Sequence, residues 1–139
     1  MSEQRPPKPR PAPGMDPETE PYWKATHDGR LLVQRCLPNG HHQLYPRWRC
    51  LRCRGEVGWV EASGRGTVYS FTIIRQNFSR SFKHLIPYVV ALVELEEGPR
   101  LMTNIVGCPP EDVIVGMPVQ VTFEPVSDEV SLALFQPAQ

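Results

Sequence analysis

Cys50 and Cys53 enclose two residues, the spacing at which two thiolates on one tight turn converge on a tetrahedral metal ion. Cys36 lies upstream, at the head of Leu37-Pro38-Asn39-Gly40, a stretch with turn chemistry. A complete four-cysteine ribbon would carry its remaining thiolate at Asn39. A neutral carboxamide is a poor zinc ligand, but His41 and His42 follow at once, and an imidazole at His41 would complete a three-cysteine, one-histidine set. The expected ligands of a single zinc ion are therefore Cys36, Cys50, Cys53 and His41. The same turns could also persist without metal, held by packing of Leu44, Trp48 and Trp59. Cys108, far downstream and followed by two prolines, reads as a small apolar residue.

Arginines crowd the second turn. Arg47, Arg49, Arg52 and Arg54 surround it, and Arg35 precedes the first. Guanidinium forks suit phosphate or carboxylate. Arg47, Arg49 and Arg52 are thus candidates for the phosphates of a ligand or for an acidic face on a partner. A solvated basic turn that offsets thiolate charge is the plainer account. The stretch from Gln76 to Pro87 is long for a hairpin connection. Its Phe78, Phe82, Leu85 and Ile86 are more apolar surface than a free loop usually exposes. They fit either a partner contact or a loop folded back over its own domain. His27, His41, His42 and His84 are accompanied by no serine motif, phosphate-cradling glycine loop or paired carboxylates. Glu94, Glu96 and Glu97 read as a solvated turn. Catalysis by this chain alone is not expected.

The elements that must hold these residues are short. Residues 1–17 are rich in proline and charge, with no large aliphatic side chain before Met15, and read as a disordered tail. Asp16 as N-cap, Pro17 and two early glutamates predict a helix that Gly29 ends, with Tyr22, Trp23 and Thr26 on one face. Leu31–Cys36 is a short strand entering the first cysteine turn. After Gly64-Arg65-Gly66 the pattern is wholly β. Strands are predicted over 67–74, 88–95, 100–106, 119–124 and 131–135, with a helical turn near 109–113. The fold class is therefore mainly β, an N-terminal helix plus zinc ribbon (18–63) followed by a five-stranded OB-like barrel (64–139). The expected inward side chains are Val68, Phe71, Val90, Leu92, Val121 and Phe123.

The chain has 139 residues and zero formal net charge. No global basic field for nucleic acid exists. From Gly64 onward there are five basic and eight acidic residues, which opposes a phosphate track along the barrel. No apolar run approaches the roughly 20 residues of a membrane helix, and the N-terminus lacks the apolar region of a secretory signal. A soluble, cytoplasmic protein is expected, with cysteines serving as metal ligands or free thiols.

As a set, several stretches resemble one family. They are Tyr22-Trp23-Lys24-Ala25, Gly29-Arg30-Leu31, Gln34-Arg35-Cys36, Pro46-Arg47 before Cys50-Leu51-Arg52-Cys53, and Ser63-Gly64-Arg65-Gly66-Thr67-Val68-Tyr69-Ser70. Pro87–Leu95, Glu97-Gly98-Pro99-Arg100 and Gly116-Met117-Pro118-Val119 complete the set. The chain resembles the acyl-CoA-associated OB-fold proteins with an N-terminal rubredoxin-like zinc ribbon, over about residues 18–137. The resemblance implies a small accessory subunit whose thiolase-like large subunit, a thiolase or retro-aldol lyase, carries the catalytic residues. Steroid or aromatic acyl-CoA degradation is the implied setting, and acyl-CoA the ligand of the complex, whose phosphates Arg47, Arg49 and Arg52 are then candidates to meet. Partnership with an acyl-CoA hydratase is the alternative within the family. Single-stranded nucleic-acid binding, which OB folds and zinc ribbons both support elsewhere, is the alternative outside it. Asn39 is the departure from the family pattern.

Overall fold

The computed structural model describes residues 5–139. One helix, α1 (Glu20–His27), leads into β1 (Leu32–Cys36), β2 (His42–Gln43) and β3 (Val57–Glu61). These strands form a small antiparallel sheet in the order β2-β1-β3. There follow β4 (Arg65–Ile74), β5 (Tyr88–Leu95), β6 (Arg100–Ile105), β7 (Pro118–Pro125) and β8 (Ser131–Pro137). They close into a five-stranded barrel in the order β4-β5-β6-β8-β7, with β6 and β8 parallel and every other pair antiparallel. That order is the OB arrangement. The chain is mainly β with one helix, as its residue pattern implies.

The helix begins one turn later than the sequence suggests. Asp16 does act as a cap, but of the turn before α1: its carboxylate accepts from the Thr19 amide at 2.9 Å and its carbonyl from the Glu20 amide at 2.8 Å. Gly29, at φ +72°, ends the helix as expected. Thr26 is fully buried. Its hydroxyl donates to the Trp23 carbonyl and accepts from the Ser131 amide at 3.3 Å, which fixes α1 against β8.

Tyr22, Leu31, Val33 and Ala62 share one buried cluster with Val68, Val93 and Phe135 of the barrel. Helix, ribbon and barrel therefore rest on a continuous core. This answers how so small a ribbon holds its shape, since a unit of that size buries too little surface alone.

Val68 is buried, and Phe71, Val121 and Phe123 pack against the core as expected. Val90 and Leu92 do not point inward. The inward residues of β5 are Val89, Ala91, Val93 and Leu95. This strand is apolar on both faces, so alternation is silent about its direction. Its register decides the matter: Val89 lies opposite Ile73, Ala91 opposite Phe71 and Val93 opposite Val68. A bulge at Tyr69 keeps Val68 and Phe71 on the same face although they are three residues apart.

The motif Gly64-Arg65-Gly66 has a steric basis. Gly64 sits at φ +80°, and a Cβ at Gly66 would collide with the Glu94 carbonyl of the paired strand.

Residues 5–15 form no helix or strand but lie along the barrel. The Lys8 amide donates to the Arg80 carbonyl at 3.0 Å, and Arg80 Nη2 donates to the Pro6 carbonyl at 2.9 Å. Arg10 donates to Asn104 Oδ1 at 3.0 Å, lies 3.5 Å from Glu124, and stacks over the Phe82 ring. Residues 1–4, the start of the expected tail, lie outside the described residues. Among the described residues no helix is long and apolar enough to cross a membrane.

Candidate metal centre

Two turns of identical hydrogen bonding face each other at the end of the ribbon. In the first, the Cys36 amide donates to the His41 carbonyl and the Gly40 amide to the Cys36 carbonyl, each at 2.7 Å. In the second, the Cys50 amide donates to the Gly55 carbonyl at 3.0 Å and the Arg54 amide to the Cys50 carbonyl at 2.8 Å. The fifth residue of each turn has positive φ, 73° at Gly40 and 59° at Arg54. Cys36 thus corresponds to Cys50, and Asn39 to Cys53. The missing thiolate is at Asn39, as the spacing suggests.

The donor atoms of Cys36, His41, Cys50 and Cys53 all lie within 4.8 Å of one another. The Cys36 and Cys53 sulfurs are 3.3 Å apart, and His41 Nδ1 is 3.6 Å from the Cys50 sulfur. Tetrahedral zinc with sulfur at about 2.3 Å would space the sulfurs about 3.8 Å apart, so small movements fit the group. The residues present suit zinc: three soft thiolates and one imidazole. Asn39 takes another part. Its side-chain N–H points at the Cys53 sulfur, 3.3 Å away.

The Cys53 thiol is acidic. The Gly55 backbone N–H, then the Asn39 side chain, lower it to about 7, toward the thiolate a metal needs. Burial pushes Cys36 up instead. Cys108 is half-buried against the barrel core, apart from the cluster, and burial raises its thiol too.

A pair of buried glutamines places the second turn, and no linear motif announces them. Gln43 Nε2 donates to Gln34 Oε1 at 2.8 Å and to the Arg49 carbonyl at 3.1 Å. Gln34 donates to the Arg47 carbonyl and accepts from the Arg47 amide. Gln43 Oε1 accepts from the Leu51 amide at 3.0 Å. Two side chains thereby satisfy five bonds and fasten residues 47–51 to β1 and β2. The only sequence signal is polarity at positions the strand pattern assigns to the interior.

The three candidate phosphate-binding arginines do not converge. Arg47 bonds its own Pro46 carbonyl and borders a cleft of about 440 Å³ between α1, ribbon and barrel. Tyr22, Trp23, Leu44, Tyr45, Met102 and Leu134 are among the walls of that cleft. Arg49 borders a shallow hollow with Trp48, Glu56 and Val57, and Arg52 a third hollow with His41 and Glu97. The cleft assembles from three separate segments and is invisible to local patterns. The four apolar residues of the long loop also divide. Phe82 leans on Tyr88 beneath Arg10, Leu85 and Ile86 are half-buried, and Phe78 stands 84% exposed.

The barrel matches a known family: the model of the ChsH2 C-terminal OB-fold domain covers residues 59–124. A DUF35 domain-containing scaffold protein of Methanothermobacter thermautotrophicus is 37% identical over 101 residues, 71% of this chain and 75% of that protein. The chain belongs to the DUF35 family. A solved DUF35 chain, of the Ltp2-ChsH2(DUF35) aldolase, superposes with a TM-score of 0.83 at 36% identity, covering 92% of this chain and 100% of that one. A probable enoyl-CoA hydratase alpha subunit of Thermomonospora curvata is 38% identical over 140 residues. This chain spans 99% of itself but only 43% of that protein, so the DUF35 unit there is part of a longer chain.

Proposed function

We propose that this DUF35 chain is a non-catalytic accessory subunit, a scaffold that docks on a thiolase-like acyl-CoA enzyme and completes it. The observation that carries the reading is the full-length match to the DUF35 chain of an aldolase complex. The scaffold name of the archaeal relative points the same way. The large subunit, a thiolase or retro-aldol lyase, would hold the reacting groups and act on an acyl-CoA, in steroid or aromatic degradation, inside the cytoplasm.

In this reading zinc held by Cys36, His41, Cys50 and Cys53 supplies a structural cross-link between the two turns. The apolar cleft between α1, ribbon and barrel offers a wall for an acyl or pantetheine chain, with Arg47 at its border. Arg49 and Arg52 face elsewhere, so at most one of the three would reach the same CoA phosphate group. From the long loop, Phe78 is the side chain open to a partner; Leu85 and Ile86 would support it, and Phe82 would take part once Arg10 moved aside.

A hydratase partner is the second reading, favoured by the hydratase alpha subunit in which an equivalent segment is built in. Nucleic acid is disfavoured by the acidic excess of the barrel. The test is to express the chain with individual thiolase-fold and hydratase-fold acyl-CoA subunits of its source organism and assay turnover of their acyl-CoA substrates. Complex formation with a thiolase-fold subunit, and activity that depends on the chain, are expected. Association with a hydratase subunit alone would move the assignment to the second reading. Turnover by the isolated chain would overturn both.

A further inference from the structure

The ribbon ends in a surface that its own fold leaves unused. Leu37 in the first turn and Leu51 in the second are 61% and 70% exposed, and Trp48, two residues before Cys50, is 69% exposed. The turns that carry them are held together, since Cys36 and Asn39 of one both touch Cys53 of the other. Arg49 beside Trp48 and Arg52 beside Leu51 border separate hollows, Arg54 closes the second turn, and none of the three forms an ion pair with a described residue. Every ion pair among the described residues is made by Arg10, Lys24, Arg30, Arg75 or Arg100 instead.

From this we infer that the turn end of the ribbon is a protein-docking surface. Its partner is a protein face with an apolar pocket for Trp48 and an acidic rim for the three arginines. The inference rests on the accessory-subunit reading and names the surface by which that docking occurs. Tryptophan and arginine are the residue types that dominate binding energy when a partner excludes water around them. Unpaired guanidinium groups beside them select acidic surroundings and repel basic ones. A nucleic acid would use the arginines, but a phosphate backbone has no use for two exposed leucines, and one indole is a short stacking platform. A second copy of this chain is the other acidic candidate, since Glu111 and Asp112 lie beside exposed Ile114 and Val115 on the barrel. That contact would join unlike surfaces and propagate rather than close.

The surface also gives the cysteine turns a purpose. Leu37 directly follows Cys36 and Leu51 directly follows Cys50, so whatever holds the turns together also holds the anchors in place. The buried glutamine pair does the same for Trp48 and Arg49 through the carbonyl of Arg49 and the amide of Leu51.

The test measures affinity for the large subunit that the wild-type chain completes. Three variants are compared: the double substitution Trp48→Ser and Leu51→Ser, the triple reversal Arg49→Glu, Arg52→Glu and Arg54→Glu, and the control Ile114→Ser on the barrel. Metal content and melting temperature are measured on each, and only variants within the wild-type range are scored. If the triple reversal disturbs the turns, the single variant Trp48→Ser, outside both turns, carries the test. The proposal expects the first two to raise the Kd by about tenfold or more and the control to leave it unchanged. Unchanged affinity in the folded variants would overturn this surface while leaving the accessory role standing. A wild-type chain that binds no acyl-CoA subunit would overturn the role itself. Salt-dependent binding of a single-stranded oligonucleotide that the arginine reversal abolishes would show a nucleic-acid face and overturn the proposal. Self-association of the isolated chain that Trp48→Ser abolishes would show a copy-to-copy contact and overturn it as well.

Discussion

The side-chain amide of Asn39 lies 3.3 Å from the sulfur of Cys53, its counterpart in the opposite turn. Where a symmetrical ribbon would have two thiolates, this one has a thiolate and a hydrogen-bond donor aimed at it. The exchange removes a ligand and stabilises the charge on the thiolate that remains. His41, two residues on, brings a ring nitrogen within 4.8 Å of the three cysteine sulfurs.

Zinc content follows from this geometry. The purified protein is expected to carry about one zinc per chain, and His41→Ala to lower its affinity by an order of magnitude or more. Adding Asn39→Cys to His41→Ala restores a fourth thiolate in the position the turn symmetry provides, and with it the metal. Elemental analysis and competition with a chromogenic chelator measure both. A metal-free wild-type protein with an intact ribbon would instead favour turns held by packing alone.

Thiol reactivity separates the cysteines in chelator-treated protein. Cys53 is exposed, and its depressed value near 7 leaves a substantial thiolate fraction at neutral pH. Cys36 is buried and shifted upward. Alkylation is therefore expected at Cys53 first, with a rate that falls as pH drops through 7 and protonates the sulfur. Mass mapping after brief iodoacetamide treatment reads the order; Cys36 reacting first would contradict it.

The two faces of β5 give a stability contrast. Val93→Asp places an unpaired charge in a fully buried site and costs several kcal/mol, roughly 3 or more. Val90→Thr, on the outward face, costs under about 1 kcal/mol. Gly66→Ala drives a methyl group into the Glu94 carbonyl and costs about 1–3 kcal/mol. Denaturant midpoints compare the three, and a larger loss at Val90 than at Val93 would show the strand facing the other way.

Much of this was legible in the residues. Thiol spacing and turn chemistry located the cluster, and the strands of the barrel follow its β-branched runs. What stayed hidden depends on pairing between distant segments. The direction of β5 needs the partners of Val89 and Val93 on β4. The glutamine pair needs β1 against β2. The walls of the cleft need α1, ribbon and β6 at once. The contacts of the N-terminal arm are also non-local: Arg10 meets a carboxamide, a carboxylate and a ring, all far from it in sequence.

The glutamine pair should matter to the metal site without touching it. Gln34→Ala strands the Arg47 amide and frees the loop before Cys50, at a cost of about 1–3 kcal/mol for the unmet bonds. Hydrogen exchange at residues 47–51 is expected to quicken more than in the barrel. Uniform exchange across the chain would mean the pair is not what fastens the turn.

The central claim is that this chain works by completing another subunit. Its most direct test is a titration of the purified chain into a purified thiolase-fold acyl-CoA subunit of the same organism, followed by initial rate. The account predicts no turnover by the chain alone and a rate that rises and saturates at a fixed stoichiometric ratio. A large subunit already fully active and stable without the chain, or turnover of acyl-CoA by the chain itself, would contradict it.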